Sequence, residues 1–320
     1  MERILVIGAN GQIGSELVDA VAAQHGTQNV IASDIGSCNL HGAQRYIRLD
    51  VLDKDEVACL IAAEGITQVY QLAAMLSATG EQAPLKAWTL NMDGLLNILE
   101  VARLRAAIDK PLRVFWPSSI AAFGPNTPSL NTPQVTVMDP TTIYGISKLA
   151  GERLCEYYFA KYGIDVRSIR YPGIVSYKAA PGGGTTDYAI AIFHAALRRE
   201  CYECFLGPDT TLPMIYMPDA IRATLELMDA PAARIKIRSA YNVAGLSFSP
   251  RQLVQAIVRV FPDFKVCYKP DSRQAIADTW PHSLDDARAY ADWGWQARIG
   301  IDQMVAHMLA HTEVGLGEVA

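Results

Sequence analysis

Short apolar runs alternate with amphipathic stretches along the first half of the chain. Six of these runs have the length and composition of buried strands: 3–7, 29–33, 45–49, 68–72, 113–116 and 165–170. Most are followed by a stretch with helical periodicity, and the longest such stretches cover 84–105 and 144–162. Repeated strand-then-helix units predict an α/β fold with a doubly wound parallel sheet. Ligands bind such sheets at the carboxyl ends of the strands.

The first predicted strand leads into a glycine-rich loop. The loop has the form G-x-x-G-x-x-G between a strand and a helix, and its residues are Gly8, Ala9, Asn10, Gly11, Gln12, Ile13 and Gly14. Glycines there permit a tight turn and let a pyrophosphate approach the backbone, while the helix N-terminus supplies N–H groups. Asp34 ends the second strand twenty residues past Gly14, the spacing at which an acid binds the adenine-ribose hydroxyls. We therefore predict a dinucleotide site that includes this loop and Asp34.

Residues at other predicted strand ends extend the dinucleotide site. Ile35 and Gly36 follow Asp34, so no arginine stands there to bind a 2′-phosphate, and NAD is favoured over NADP. Small residues after the fourth strand let the backbone approach a cofactor, although they are also common where helices pack. The further cofactor-binding candidates are Asp50, Val51, Leu72, Ala73, Ala74, Asn91 and Tyr171.

Tyr144 and Lys148 lie four residues apart at the start of the helix predicted over 144–162. Positions i and i+4 share one face of a helix, so both groups can contact one ligand. The free pKa of tyrosine is about 10, and a neighbouring cation lowers it by favouring the phenolate. The pair is suited to removing a proton from an alcohol. The same spacing also occurs in ordinary surface helices, so the interpretation depends on the surrounding chain.

Beyond residue 173 the pattern becomes irregular. We predict a Rossmann-like nucleotide-binding domain over 1–173, to which residues 214–246 return, and a smaller mixed α/β substrate lobe over 174–320. The lobe contains the run Pro181-Gly182-Gly183-Gly184-Thr185-Thr186. Successive backbone N–H groups of such a run can bind a carboxylate, although an exposed flexible loop would have the same sequence.

Composition excludes several function classes. The chain has 320 residues, half of them hydrophobic, and a net charge of −5 with no basic block, so we expect no nucleic acid partner. The first apolar run is too short for a signal peptide or a membrane span, which predicts a soluble cytoplasmic protein without membrane contact. Cysteines are scattered as expected for reduced thiols, and the C-x-x-C at Cys201 and Cys204 lacks a second ligand pair, so we predict no metal. The other cysteines are Cys38, Cys59, Cys155 and Cys267.

The glycine loop, Asp34, Ser119 and Tyr144-x-x-x-Lys148 together resemble the extended short-chain dehydrogenases/reductases over nearly the whole chain. Within that family, several longer strings are similar to the short-chain type of L-threonine 3-dehydrogenase. These strings are 117–124, 181–188, 212–223, Trp280 and 292–295. The resemblance implies NAD as the cofactor and a homodimer packed through the helices at 84–105 and 144–162.

The resemblance also implies roles for single residues. Tyr144 corresponds to the general base, Lys148 to its partner and nicotinamide-ribose ligand, and Ser119 to the hydroxyl beside the substrate alcohol. Ile174 corresponds to a backbone contact with the carboxamide. Capping of a strand end is the alternative for both serines at 118 and 119, and core packing is the alternative for Trp280. The substrate-binding candidates are Ser77, Ser118, Ser119, Tyr144, Gly184, Thr185, Thr186 and Trp280.

We therefore expect NAD-dependent oxidation of the 3-hydroxyl of L-threonine to 2-amino-3-oxobutanoate. One alternative is a nucleotide-sugar epimerase or dehydratase with bound NAD. Such enzymes usually carry an Arg-Asp where this chain has Leu212-Pro213, and an arginine fork is the natural ligand of a diphosphate. The other alternative is a non-catalytic dinucleotide-sensing protein, which would not need Ser119, Tyr144 and Lys148 intact.

Overall fold

The structure is a computed structural model that describes residues 2–36, 45–179 and 182–312. Cys38 and Pro181 lie outside the described residues. The strands in chain order are β1 (Ile4–Ile7), β2 (Val30–Asp34), β3 (Tyr46–Arg48), β4 (Gln68–Gln71), β5 (Arg113–Phe115), β6 (Ser118–Ser119), β7 (Val166–Arg167), β8 (Ile169–Tyr171), β9 (Gly173–Val175), β10 (Tyr202–Cys204), β11 (Leu212–Tyr216), β12 (Tyr241–Asn242), β13 (Leu246–Phe248) and β14 (Val266–Tyr268).

Helices connect and cover these strands. In chain order they are α1 (Gln12–His25), α2 (Lys54–Ala63), α3 (Ser77–Gln82), α4 (Pro84–Trp88), α5 (Gly94–Ala106), α6 (Ile143–Tyr162), α7 (Tyr188–Arg198), α8 (Met217–Asp229), α9 (Pro250–Val258), α10 (Ser272–Ala277), α11 (Ala287–Trp293) and α12 (Ile301–His311). Among the described residues, no helix combines the length and the hydropathy that crossing a bilayer requires.

The central sheet has six strands in the order β3-β2-β1-β4-β5-β7, and every neighbouring pair is parallel. One of its two central strands, β1, is buried along its whole length, as the continuous apolar run predicts for a strand covered on both faces. The predicted doubly wound α/β fold is confirmed. The order runs outward from β1 in both directions, so the carboxyl ends of β1 and β4 meet at the point where a ligand binds.

Two predicted elements are interrupted. The run at 165–170 forms two strands, because β7 pairs with β5 whereas β8 pairs with β6 and β12 in a separate small sheet. Pro117 has no N–H to donate, so the strand ends at Phe115 and β6 begins a new ladder at Ser118. The predicted helix at 84–105 contains a π-helical turn, Thr89–Asp93, between α4 and α5. Such turns carry one extra residue and often occur at functional sites.

Helix α6 lies unusually close to the segment that follows β5. Thr142 caps the helix through its hydroxyl, which accepts a hydrogen bond from the Gly145 N–H at 3.0 Å. A Cβ on Gly145 would stand 2.1 Å from the Ala121 carbonyl oxygen, and one on Gly151 would stand 2.2 Å from the Trp116 ring. Both positions therefore need glycine, and the helix can contact residues 116–121 along its length.

Packing of the second half of the chain does not follow chain order. Ile215 and Tyr241 share one hydrophobic cluster with Val6 of β1. Trp293 and Trp295 belong to that cluster too. The division into domains at residue 173 stays a prediction.

Candidate active site

The glycine loop and the ends of β1, β2 and β4 enclose a first cavity, which we call the glycine-loop cavity. Gly8 has a φ of 82°, and a Cβ there would stand 2.7 Å from the Ala73 nitrogen, so only glycine lets the two segments meet. Helix α1 begins at Gln12 without a side-chain cap, which leaves its first N–H groups for a ligand. Of the predicted residues, those lining this cavity are Gly8, Gly11, Asp34, Asp50, Val51, Leu72, Ala73 and Ala74.

Asp34 is held in one orientation at the end of β2. Its Oδ2 accepts the Asn10 N–H at 3.0 Å and its Oδ1 accepts the Gly36 N–H at 3.3 Å. Each carboxylate oxygen has a further lone pair, so both can still accept a hydroxyl. The carboxylate lines the cavity, where it would accept the hydroxyls of a ribose and repel a phosphate.

A second cavity adjoins the first, because Leu72 and Ala74 line both. We call it the tyrosine cavity. It brings together residues from both halves of the chain. Of the predicted residues, those lining it are Gln12, Ile13, Leu72, Ala74, Ser77, Ser118, Ser119, Tyr144, Lys148, Tyr171, Ile174, Gly184, Thr185, Thr186 and Trp280.

Three predicted cofactor residues line neither cavity and support the loops that do. The Asn10 backbone holds Asp34. Gly14 packs α1 against the loop, since a Cβ there would stand 2.1 Å from the Gly8 carbonyl oxygen. The amide of Asn91, in the π-helical turn, accepts the Met75 N–H at 2.8 Å and donates to the Met75 carbonyl at 3.2 Å. Asn91 thus fixes the segment that leaves β4.

Tyr144 and Ser119 meet inside the tyrosine cavity. Tyr144 keeps part of its surface exposed there but is otherwise surrounded by protein. Burial raises the pKa of its phenol to about 12, and a hydrogen bond from the Ser119 hydroxyl opposes that shift. The sequence-based expectation that Lys148 lowers the pKa of Tyr144 is therefore not met in this structure, because burial disfavours the phenolate more strongly.

Lys148 is itself buried, with 2% of its surface exposed. Its Nζ donates to the Pro117 carbonyl at 2.7 Å and lies 4.4 Å from the centre of the Trp116 ring and 5.4 Å from that of the Tyr144 ring. Burial lowers the pKa of Lys148 to about 7. Burial thus makes the ammonium of Lys148 less stable than that of an exposed lysine.

Ser118 and Ser119 have different partners. The Ser118 hydroxyl donates to Glu152 Oε1 at 2.6 Å. The Ser119 hydroxyl accepts the Ala121 N–H at 3.1 Å and faces Tyr144. Of the two serines, Ser119 has its hydroxyl beside the tyrosine.

The glycine run at 182–184 differs from its expected role. We expected its N–H groups to bind a substrate carboxylate, but the Gly184 N–H donates to Asp187 Oδ2 at 2.7 Å, and those of Gly182 and Gly183 also act on this carboxylate. The loop folds back so that Asp187 fills the site. Burial raises the pKa of Asp187 despite these bonds.

Sequence reasoning missed Asp187, which lines the tyrosine cavity. The available signal was an acid directly after the Gly-Gly-Gly-Thr-Thr run and directly before α7. Its neighbour Thr185 is 1% exposed, and its Oγ1 has no hydrogen-bond partner among the described residues. Within the same residues, no cluster of three or more His, Cys, Asp or Glu side chains could hold a metal ion.

Comparison with known proteins agrees with this geometry. The model of the NAD dependent epimerase/dehydratase family matches residues 4–244. The chain belongs to this family. Over 315 residues it is 45% identical to an uncharacterized epimerase/dehydratase of Staphylococcus saprophyticus. The match covers 97% of this chain and 96% of the relative.

Two solved structures are also similar to this member of the NAD dependent epimerase/dehydratase family. A GalE-like L-threonine dehydrogenase from Cupriavidus necator, in its holo form, has 57% identity and a TM-score of 0.94 over 97% of this chain and 100% of that one. A monomeric L-threonine 3-dehydrogenase from a metagenome has 45% identity and a TM-score of 0.91 over 96% of this chain and 97% of that one.

NAD is the cofactor of this family, and the residues present fit it. The close approach at Gly8 and the uncapped start of α1 form a cradle for a pyrophosphate, while Asp34 stands where a ribose would lie. Lys148 and Tyr144 would hold the opposite end of the dinucleotide, in the tyrosine cavity.

Proposed function

We propose that this protein oxidises the 3-hydroxyl of L-threonine to 2-amino-3-oxobutanoate and reduces NAD to NADH, with release of one proton. The observation that carries the proposal is the tyrosine cavity, where Tyr144 and Ser119 face the polar groups of residues 184–187. An amino acid substrate needs partners for a hydroxyl, an ammonium and a carboxylate, and this cavity offers all three kinds. The names of the two similar dehydrogenases support the same substrate.

Tyr144 takes the proton in the proposed reaction. Its phenolate accepts the hydroxyl proton of the substrate. The Ser119 hydroxyl, which donates to Tyr144 in the free enzyme, turns to donate to the substrate oxygen once the substrate is bound. When bound, NAD supplies the acceptor for the hydride that leaves C3. Because burial raises the pKa of Tyr144 to about 12, the phenolate needs positive charge beside it at neutral pH. Lys148 is the side chain placed to supply that charge.

Residues 184–187 recognise the amino acid part of the substrate. The Asp187 carboxylate is suited to the ammonium group, because its charge is opposite and it lines the same cavity. The buried Thr185 hydroxyl lacks a partner among the described residues, so a substrate carboxylate would satisfy it. Ser77 offers a second hydroxyl in the same cavity. Thr186 and Trp280 form the apolar wall of the cavity near the substrate methyl group.

The test is NADH absorbance with a panel of substrates. We expect rapid oxidation of L-threonine, slow oxidation of L-serine because it lacks the methyl group, and very slow oxidation of simple secondary alcohols. Asp187→Asn should raise the KM for L-threonine and leave the affinity for NAD unchanged, since it removes the charge that would face the ammonium and one of the two oxygens that accept N–H groups of the glycine run. Asp209→Asn is the matched control, because the Asp209 side chain is exposed and, among the described residues, pairs only with Arg251.

A nucleotide-sugar epimerase or dehydratase is the second candidate, because the family description and the name of the staphylococcal relative point to it. Leu212 and Pro213 are buried at the start of β11, so neither can grip a diphosphate. UDP-sugars therefore belong in the same panel. Turnover of a UDP-sugar, with no NADH formed from L-threonine, would replace the proposal by this candidate.

The proposal includes a homodimer packed through α4, α5 and α6. These helices expose large apolar side chains that a partner would cover, among them Leu85, Trp88, Leu104, Ile146 and Tyr157. Light scattering should give twice the chain mass of 34.9 kDa. A mass of one chain at micromolar concentration would refute the dimer. We also place the protein in the cytoplasm, where the exposed free thiols of Cys59, Cys201 and Cys267 stay reduced.

A further inference from the structure

Residues 117–119, which line the tyrosine cavity, all contact side chains on one face of α6. Tyr144, Lys148 and Glu152 are spaced at i, i+4 and i+8, so they lie in a row along the helix. Tyr144 contacts the Ser119 hydroxyl, Lys148 binds the Pro117 carbonyl at 2.7 Å, and Glu152 binds the Ser118 hydroxyl at 2.6 Å. The third of these contacts has no part in the reaction proposed above.

Glu152 is completely buried and forms an ion pair with Arg170, whose side chain is 2% exposed. Arg170 Nε donates to Glu152 Oε1 at 2.9 Å and its Nη2 donates to Oε2 at 2.8 Å, so the pair is bidentate. Arg170 also stands opposite Ser118 in the register of β6 and β8. Residue 118 is therefore held both by the hydrogen bond to Glu152 on α6 and by the strand pairing with Arg170 on β8.

We propose that Glu152 and Arg170 are positioning residues of the active site, which fix Ser118 so that Ser119 and Lys148 are held in place for catalysis. This inference rests on the proposed oxidation, because it assigns a role within that reaction. A buried ion pair usually adds little net stability compared with apolar side chains of similar size, so stability alone is a weak reason for this arrangement. Misplacing a reacting group by about 1 Å can slow a reaction on the order of a hundredfold.

Glu152 also acts on the charge of Lys148. The groups that face its ammonium are Tyr144, Glu152 and Cys155 on α6, together with the Trp116 ring and the Pro117 carbonyl. Burial lowers the pKa of Lys148 to about 7, and the negative charge of Glu152 opposes that shift. Without this charge the ammonium is less stable, so the pKa of Lys148 falls further and less of it is charged at neutral pH.

Ser118→Ala tests the positioning role with the smallest change. It removes one hydroxyl and leaves both charges of the ion pair in place. We expect kcat for L-threonine to fall by about tenfold or more, with little change in the KM for NAD, because the strand that carries Ser119 loses its anchor. Ser168→Ala is the matched control, since Ser168 is buried and its hydroxyl has no partner among the described residues. It should keep the wild-type kcat.

Glu152→Gln tests the charge. In protein labelled with ¹³C at the lysine ε-carbon, the Lys148 signal, assigned by its absence in Lys148→Met, should titrate about one unit lower than in the wild type. The kcat at neutral pH should fall with it. If the single variant unfolds, the double variant Glu152→Gln/Arg170→Met leaves no unpaired charge of the pair buried and tests the positioning role through kcat. Asp165→Asn is the control, because it removes a half-buried carboxylate that pairs with Arg113, Arg167 and Arg238 away from the site.

Variants that lose thermal stability but keep the wild-type kcat and the wild-type Lys148 titration would overturn the inference. If Ser118→Ala and the folded Glu152 variants keep the wild-type kcat, and the Lys148 titration does not move, the pair is structural only. The titration is measured without substrate, so it is independent of the proposed reaction. If wild-type enzyme fails to oxidise L-threonine, the proposed function is wrong, whichever way the titration moves.

Discussion

Replacing Ser119 by alanine removes one hydroxyl from the active site and changes the basicity of its neighbour. The hydrogen bond from Ser119 is the contact that lowers the pKa of Tyr144, which burial otherwise raises to about 12. Without that bond the phenolate is harder to form. The Ala121 N–H also loses its acceptor, but this group lies at the start of a single short turn.

The size of the effect follows from the strength of such a bond. A hydrogen bond to a charged group contributes about 1.5–3 kcal/mol. Since one pKa unit corresponds to about 1.36 kcal/mol, Ser119→Ala should raise the pKa of Tyr144 by about one to two units. Below that pKa the rate is proportional to the phenolate fraction, so it should fall by about 10- to 100-fold at neutral pH. Because burial already places the pKa of Tyr144 at about 12, both rates should rise in parallel up to about pH 10 and the deficit should stay the same.

The assay is kcat/KM for L-threonine over about pH 7 to 10, measured in parallel for wild type, Ser119→Ala and the control Ser168→Ala. Wild-type activity should rise with pH because the base must lose its proton. The ratio of wild type to Ser119→Ala should be the same across this range, because both proteins stay well below the pKa of Tyr144. A ratio that falls to about one within this range, or a fully active Ser119→Ala variant, would refute the assigned interaction.

Other substitutions test the base, the cofactor site and the packing. Tyr144→Phe should lower kcat by at least about a hundredfold and leave NAD binding, measured by calorimetry, almost unchanged; retained activity would exclude this base. Asp34→Ala should narrow the preference for NAD over NADP in kcat/KM, and equal use of both by wild type would contradict the role of Asp34. Gly151→Ala should destabilise the fold by about 1–3 kcal/mol in urea unfolding, because the new Cβ overlaps the Trp116 ring. Gly80→Ala, within α3, would make only ordinary contacts and should not destabilise the protein.

Features encoded by local sequence patterns could be predicted. The parallel sheet follows from the repeated apolar runs. The position of Gly8 follows from the loop that joins β1 to α1, and that of Asp34 from its spacing of twenty residues beyond Gly14. Tyr144 and Lys148 share a helix face at any position on a regular helix. These predictions depend on residues close together in sequence, so short-range rules suffice.

Features that depend on how distant segments meet could not be predicted. That Asp187 lines the tyrosine cavity does not follow from the run 182–187, because the cavity is formed by segments far apart in the chain. The raised pKa of Tyr144 depends on the depth of its burial, which a helical pattern does not give. The bonds that distinguish Ser118 from Ser119 come from Glu152 and Tyr144, which lie on a helix far along the chain.

The most direct test of the proposed reaction is to follow the hydride itself. L-threonine carrying deuterium at C3 should transfer that deuterium to NAD, so mass spectrometry should find labelled NADH and unlabelled 2-amino-3-oxobutanoate in equal amounts. Tyr144→Phe, measured alongside, should form neither. Unlabelled NADH, or conversion of a UDP-sugar with no NADH formed from L-threonine, would contradict the claim that this protein is an L-threonine 3-dehydrogenase.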